Sequence, residues 1–136
     1  MRVFVDTNIV ISALLFPNGK TAKVFSHLLR KHTVIISSYT REECKEVFEK
    51  KFPTKMKQLE IFFNGINFEE FATPDKIDRQ KYPSMRDVKD LPILASAILS
   101  DSDILLTGDK DFADVKIDKP LIFTPTRYFE LIEHKP

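Results

Sequence analysis

Glycine is scarce in this chain, with three residues in 136, tryptophan is absent, and cysteine occurs once, at Cys44. So little glycine excludes a collagen-like repeat, a flexible linker and a glycine-rich phosphate loop. One cysteine cannot close an internal disulfide or build a cysteine-rich zinc site. No window approaches the roughly eighteen apolar residues of a membrane helix, so no membrane association is expected. Near the N-terminus, Asp6 stands where a signal peptide would continue its apolar stretch, and a reducing cytoplasm is the expected compartment. What the chain does have is 43% hydrophobic and 30% charged residues, the composition of an ordinary folded protein. Its length suits one well-buried core, so residues 1–136 are read as a single domain.

The formal charge of +1 hides an asymmetry. Residues 1–68 hold 11 Lys and Arg against 6 Asp and Glu, whereas residues 69–136 hold 10 against 14. Basic residues between Lys20 and Lys57, among them Lys20, Lys23, Arg41 and Lys45, are candidates to line a path for a polyanion such as a nucleic acid. The competing reading is a solvated helix surface.

Short apolar runs alternate with helical patterns. Val3-Phe4-Val5 reads as a buried strand ending in the cap-forming Asp6-Thr7-Asn8, followed by helices over 9–16 and through Ala22 to Leu29. Thr33–Ser37 is the next strand. Thr40 with Glu43 fits a capping box for a helix reaching Phe52, and a further helix is expected over 55–63. The stretch 67–90 carries Pro74 and Pro83 and reads as a long loop with a short strand at 68–71. Leu91–Leu99 is apolar nearly all round and predicts a buried helix. Ile104–Thr107 and Leu121–Phe123 read as strands, and 126–133 as a closing helix. Strands that are continuously apolar and separated by helices predict an α/β fold: a three-layer α/β/α sandwich around a mainly parallel sheet of four to five strands.

In such sheets the functional crevice lies at the carboxyl ends of the strands. Four acids from separate segments fall there: Asp6 after the first strand, Glu43 after the second, Asp90 before the buried helix and Asp109 after Gly108. Each has a purely structural reading, as a helix cap, a capping-box partner or a turn residue. Together they would repel one another and need protonation or a cation. An all-oxygen donor set favours Mg²⁺ or Mn²⁺ over zinc, and such ions support in-line displacement at phosphorus. His27, His32 and His134 lie near no recognisable Ser or Cys nucleophile, and Cys44 sits on an apolar helix stripe. A phosphoaspartate enzyme built on Asp6 would want a second acid at position 8, where this chain has Asn8.

The motifs Val3-Phe4-Val5-Asp6-Thr7-Asn8, Ile35-Ile36-Ser37 leading to Glu43, Asp87-Val88-Lys89-Asp90 before Pro92, and Asp103 through Phe112 resemble, in that order, the PIN-domain nucleases. The resemblance spans essentially the whole chain, and the size is similar to the single-domain toxins of toxin-antitoxin pairs. It implies an Mg²⁺- or Mn²⁺-dependent endoribonuclease with Asp6, Glu43, Asp90 and Asp109 as catalytic, metal-binding acids. Asn8 and Thr107 fall where the family places polar support, and Asp111 where some members carry a further acid. RNA as substrate, an antitoxin protein as partner and room for a homodimer are further implications. Glu43 is preferred to Glu42 because it lies nearer the apolar stripe, and Asp90 to Asp87 because it abuts the buried helix. The non-enzymatic alternative is a PIN-like module that only binds RNA or protein.

Overall fold

The computed structural model describes residues 1–133; His134 and the two residues after it lie outside the described part. Five strands and six helices alternate in it. They are β1 (Arg2–Val5), α1 (Thr7–Leu15), α2 (Lys20–Lys31), β2 (Thr33–Ser37), α3 (Ser38–Lys51), α4 (Met56–Gly65), β3 (Glu69–Phe71), α5 (Leu91–Leu99), β4 (Ile104–Leu106), β5 (Leu121–Phe123) and α6 (Pro125–Glu133). The strands form one sheet in the order β3-β2-β1-β4-β5, every pair parallel. The expected α/β class and parallel sheet are therefore observed, with five strands.

Strand side chains alternate between faces, and the packing follows that period. Val3, Val5, Val34, Ile36, Ile104 and Leu106 point into one core, which also takes in residues of α1, α2, α3, α4 and α6. Phe4, Ile35 and Leu105 point the other way, against Ile93, Leu94 and Ala97 of α5 and against Phe112. One face thus carries five helices and the other carries α5 with the segment after β4. Being covered on both sides explains why the strands read as unbroken apolar runs. Leu94 is fully buried on the thinner side; Leu94→Ala should cost about 2–5 kcal/mol in a urea unfolding experiment, because only one helix is available to close the cavity.

The crossovers decide where a site can form. From β1 the chain moves outward through β2 to β3 by way of the five-helix face, then returns to β4 and β5 by way of the α5 face. Connections leaving β1 and β4 therefore diverge onto opposite faces of adjacent strands. Their carboxyl ends are a topological switch point, where a crevice opens in sheets of this kind.

One local reading is corrected. Thr40 does not cap α3: the cap is Ser37, whose Oγ accepts from the Thr40 N–H at 3.1 Å, so the helix starts earlier and Glu43 falls in its second turn. The expected short strand before α5 is present as β3, paired with β2, and the loop that follows it holds short 3-10 turns at Arg79–Lys81 and Val88–Asp90. Their caps are Asp78 and Asp87, acids that local hydrogen bonding favours at such positions.

Candidate active site

At the switch point the backbone of Asp6 is fixed before its side chain is considered: its N–H donates to the Leu106 carbonyl at 3.0 Å, extending the β1–β4 ladder by one rung. The Asp6 side chain caps α1, Oδ1 accepting from the Thr7 N–H at 2.6 Å. Its second oxygen, Oδ2, accepts from the Thr107 hydroxyl at 2.7 Å. Thr107 Oγ1 in turn accepts from the Asp109 N–H at 3.0 Å, and Asp109 Oδ1 accepts from the Asp111 N–H at 2.9 Å, capping the short turn Lys110–Phe112. On the other flank the Thr7 hydroxyl donates to Glu43 Oε1 at 2.6 Å. Thr7 also touches Thr40 across a 3.3 Å hydroxyl contact, and Thr40 is held by Ser37. A row of buried hydroxyls thus orients the acids from beneath.

A second set adjoins the first. Asp87, Asp90 and Asp111 each offer a carboxylate oxygen within 4.8 Å of the others. Asp90 begins α5 with no capping bond from its side chain, and its Oδ2 is a buried oxygen without a hydrogen-bond partner among the described residues. An orphaned buried acceptor costs on the order of 1–3 kcal/mol, so a cation is a fitting neighbour.

The charges feel one another. Burial, opposed by the bonds from Thr107 and Thr7, pushes Asp6 up to about 6, with Glu43 and Asp109 adding repulsion. Asp90 is pushed to about 7, first by burial, then by Asp109, Asp87, Asp6 and Asp111. The half-buried Tyr39 hydroxyl is raised by burial and by Glu43, Asp90, Glu46 and Asp6. Beneath the site the Cys44 thiol is pushed up to about 12 by burial and by Glu43 and Asp6, so it is no nucleophile. Acids that hold protons this strongly suit a divalent ion. Their oxygen-only donors fit Mg²⁺ or Mn²⁺.

Of the four acids singled out from sequence, Asp6, Glu43 and Asp109 are joined through Thr7 and Thr107, and Asp90 stands in the adjoining set with Asp111. Glu42 faces away from these acids, into the cavity between α3 and α4, whereas Asp87 joins Asp90 in that set. Asn8 is exposed; polar support comes instead from its neighbour Thr7, whose hydroxyl donates to Glu43. Thr7 and Ser37 were not singled out as site residues and Thr40 only as a helix cap; the available signal was a hydroxyl residue directly after Asp6 and another at the end of β2. Of the expected polyanion contacts, Lys20 lies over the Phe129 ring at 5.6 Å. Arg41 is paired with Glu70 at 2.6 Å and lies over Phe63 at 5.0 Å. Lys23 is exposed on α2 and Lys45 on α3. Exposed Arg86, Lys89 and Lys110 lie close to the acids in sequence and were not anticipated. Arg86 reaches Asp114 at 2.8 Å and Asp111 at 3.8 Å.

Thr107 serves two partners from a site that is 1% exposed. Thr107→Val, of similar shape, strands the Asp109 N–H and frees Asp6; it should lower stability by about 1–3 kcal/mol and weaken Mn²⁺ binding about 10- to 100-fold. Urea unfolding and calorimetric Mn²⁺ titration check the two effects, and Thr107→Ser should retain most of both.

A family model described as PIN domain matches residues 2–111. No curated protein sequence matches the chain. Among solved structures, a chain of VapBC2 from Rickettsia felis, determined bound to a DNA fragment from the promoter, shares the fold with a TM-score of 0.68. That likeness covers 91% of this chain and 98% of the other, at 18% identity.

Proposed function

This chain belongs to the PIN-domain family, and on that footing we propose that it is a metal-dependent endoribonuclease, the toxin of a toxin-antitoxin pair. The observation that carries the reading is the hydrogen-bonded row that joins the buried Asp6 to Glu43 through Thr7 and to Asp109 through Thr107, with Asp90 in the adjoining acid set, at the switch point. Asp6, Asp90 and Asp109 would hold the ion together, Glu43 completing the set from α3. Bound there, Mg²⁺ or Mn²⁺ supplies positive charge for the phosphate oxygens and a Lewis acid for hydrolysis.

The chain's own work is orientation. Thr107 and the Thr7 amide fix both oxygens of Asp6, so its lone pairs keep one direction. Thr7 holds Glu43 in the same way from the other side. Such ordering before substrate arrives reduces the reorganisation needed at the moment of reaction. The floor is buried while the outer acids are only half buried, which leaves an open approach for a phosphodiester backbone. Gly108 borders open space, where a Cβ would meet nothing within 4 Å, so the fold itself does not require glycine at this point.

RNA as the substrate and an antitoxin as the partner follow from the sequence resemblance, and the fold shared with a VapBC2 chain supports the pairing. The experiment is cleavage of end-labelled single-stranded RNA by the purified protein. Cutting should require Mg²⁺ or Mn²⁺, stop in EDTA and return when Mn²⁺ is restored; undiminished cutting in excess chelator would overturn the mechanism.

A further inference from the structure

A cavity of about 660 Å³ lies between α3 and α4, within the size range of small-molecule sites. Ser38, Arg41 and Lys45 line it, a stripe at i, i+3 and i+7 on α3, while Glu43 leaves the other side of the same helix to accept from Thr7. Cavity and acid patch thus share one helix.

The chemistry of the cavity is that of a stacking site. Phe63 forms part of its wall, and the Arg41 guanidinium lies over that ring at 5.0 Å and over Phe68 at 6.0 Å. Glu70 clamps the same guanidinium at 2.6 Å, yet 44% of the Arg41 side chain remains exposed. A charge already paired with Glu70 is poorly suited to gripping a phosphate, but a plane held in place on one side and open on the other is a platform for a base. Lys45 and Lys57 stand at the rim, able to meet flanking phosphates, and Asn64 offers both a donor and an acceptor to a base edge.

Resting on the ribonuclease reading for its ligand class, we propose that this cavity is a subsite for one unpaired nucleobase of the RNA, stacked on the Arg41 plane. Only an unpaired base can stack there, so the subsite selects single-stranded over paired RNA. Arg41 here is a binding residue for the substrate, remote from the bond that breaks.

The test is binding of short single-stranded RNAs by fluorescence anisotropy in EDTA, where no cutting occurs, with a single abasic position moved along the strand. For the wild type, one abasic position should weaken binding about tenfold, as expected for the loss of one stacked base. Arg41→Ala and Arg41→Lys should both bind the intact strand about tenfold more weakly and be indifferent to the abasic position, since lysine keeps the charge but not the plane. Met56→Trp, which fills the cavity and leaves Arg41 in place, should do the same; thermal melting verifies that each variant is folded. Equal wild-type binding of intact and abasic strands, wild-type behaviour in Arg41→Lys, or no RNA binding at all would overturn the subsite. Adding Mn²⁺ to the bound intact strand then reads the other claim separately: base-dependent binding without cutting would leave the subsite standing and remove the ribonuclease.

Discussion

Asp6→Asn should abolish RNA cleavage, by at least about a hundredfold, because the loss of a direct ligand exceeds the 10- to 100-fold cost of losing an outer partner. The fold should not suffer. Asn caps a helix as well as Asp does, its Oδ1 can accept from the Thr7 amide as Asp6 does now, and its amide can donate to Thr107. In EDTA at pH 7.5 the variant should melt at the same temperature as the wild type or higher, since one charge has left a crowded patch. Wild-type protein with Mn²⁺ at a hundred times its Kd should gain about 2.7 kcal/mol, or about 10 °C in Tm for a chain of this size. The variant should lose most of that gain. Were Asp6 only a cap, the two proteins would share both the Mn²⁺ response and the activity.

The second large effect is on stability without metal. Asp6 is held at about 6 in the folded protein against an ordinary 3.8, so between those values the folded state binds more protons than the unfolded one. Stability must then fall as pH rises through that window, by about 3 kcal/mol for this one buried group. Asp90, held at about 7, acts in the same direction and extends the decline to pH 7. Glu69 and Asp103 are lowered by Arg2 and act oppositely, but only in the more acidic range. Melting in EDTA should therefore show greater stability near pH 5 than near pH 8, the reverse of the usual acid sensitivity. Asp6→Asn should flatten the profile, and Mn²⁺ should restore the wild type at pH 8. A metal-free Tm that rises from pH 5 to pH 8 would contradict the electrostatic description of the site.

The strands and the buried helix were legible because burial on both sheet faces leaves a contiguous record: Val3 to Val5, Val34 to Ile36 and Ile93 to Ala97 all show it. Asp6 and Asp90 were legible because they directly follow and precede such runs, Asp109 because it comes soon after one, and Glu43 from its helix after the second strand. Less visible was what depends on distant pairing. Arg41 looked like a polyanion contact until β3 brought Glu70 beside it, and Asp87 acquires its place only when Asp111 folds over from the segment after β4. Ser37 against Thr40 as the cap of α3 turned on where the strand stops, a boundary that propensity does not resolve. The unequal covering of the sheet, five helices against one, follows from crossover handedness and sheet order rather than from any single segment.

The account rests on the acids holding one divalent site at the switch point, and anomalous diffraction from a crystal grown with Mn²⁺ tests that directly. A peak bonded to Asp6 together with Asp90 or Asp109, with oxygen ligands at the short distances of such ions, is the predicted result. A crystal saturated with Mn²⁺ that shows no peak on Asp6, or density only at surface carboxylates away from β1 and β4, would contradict it.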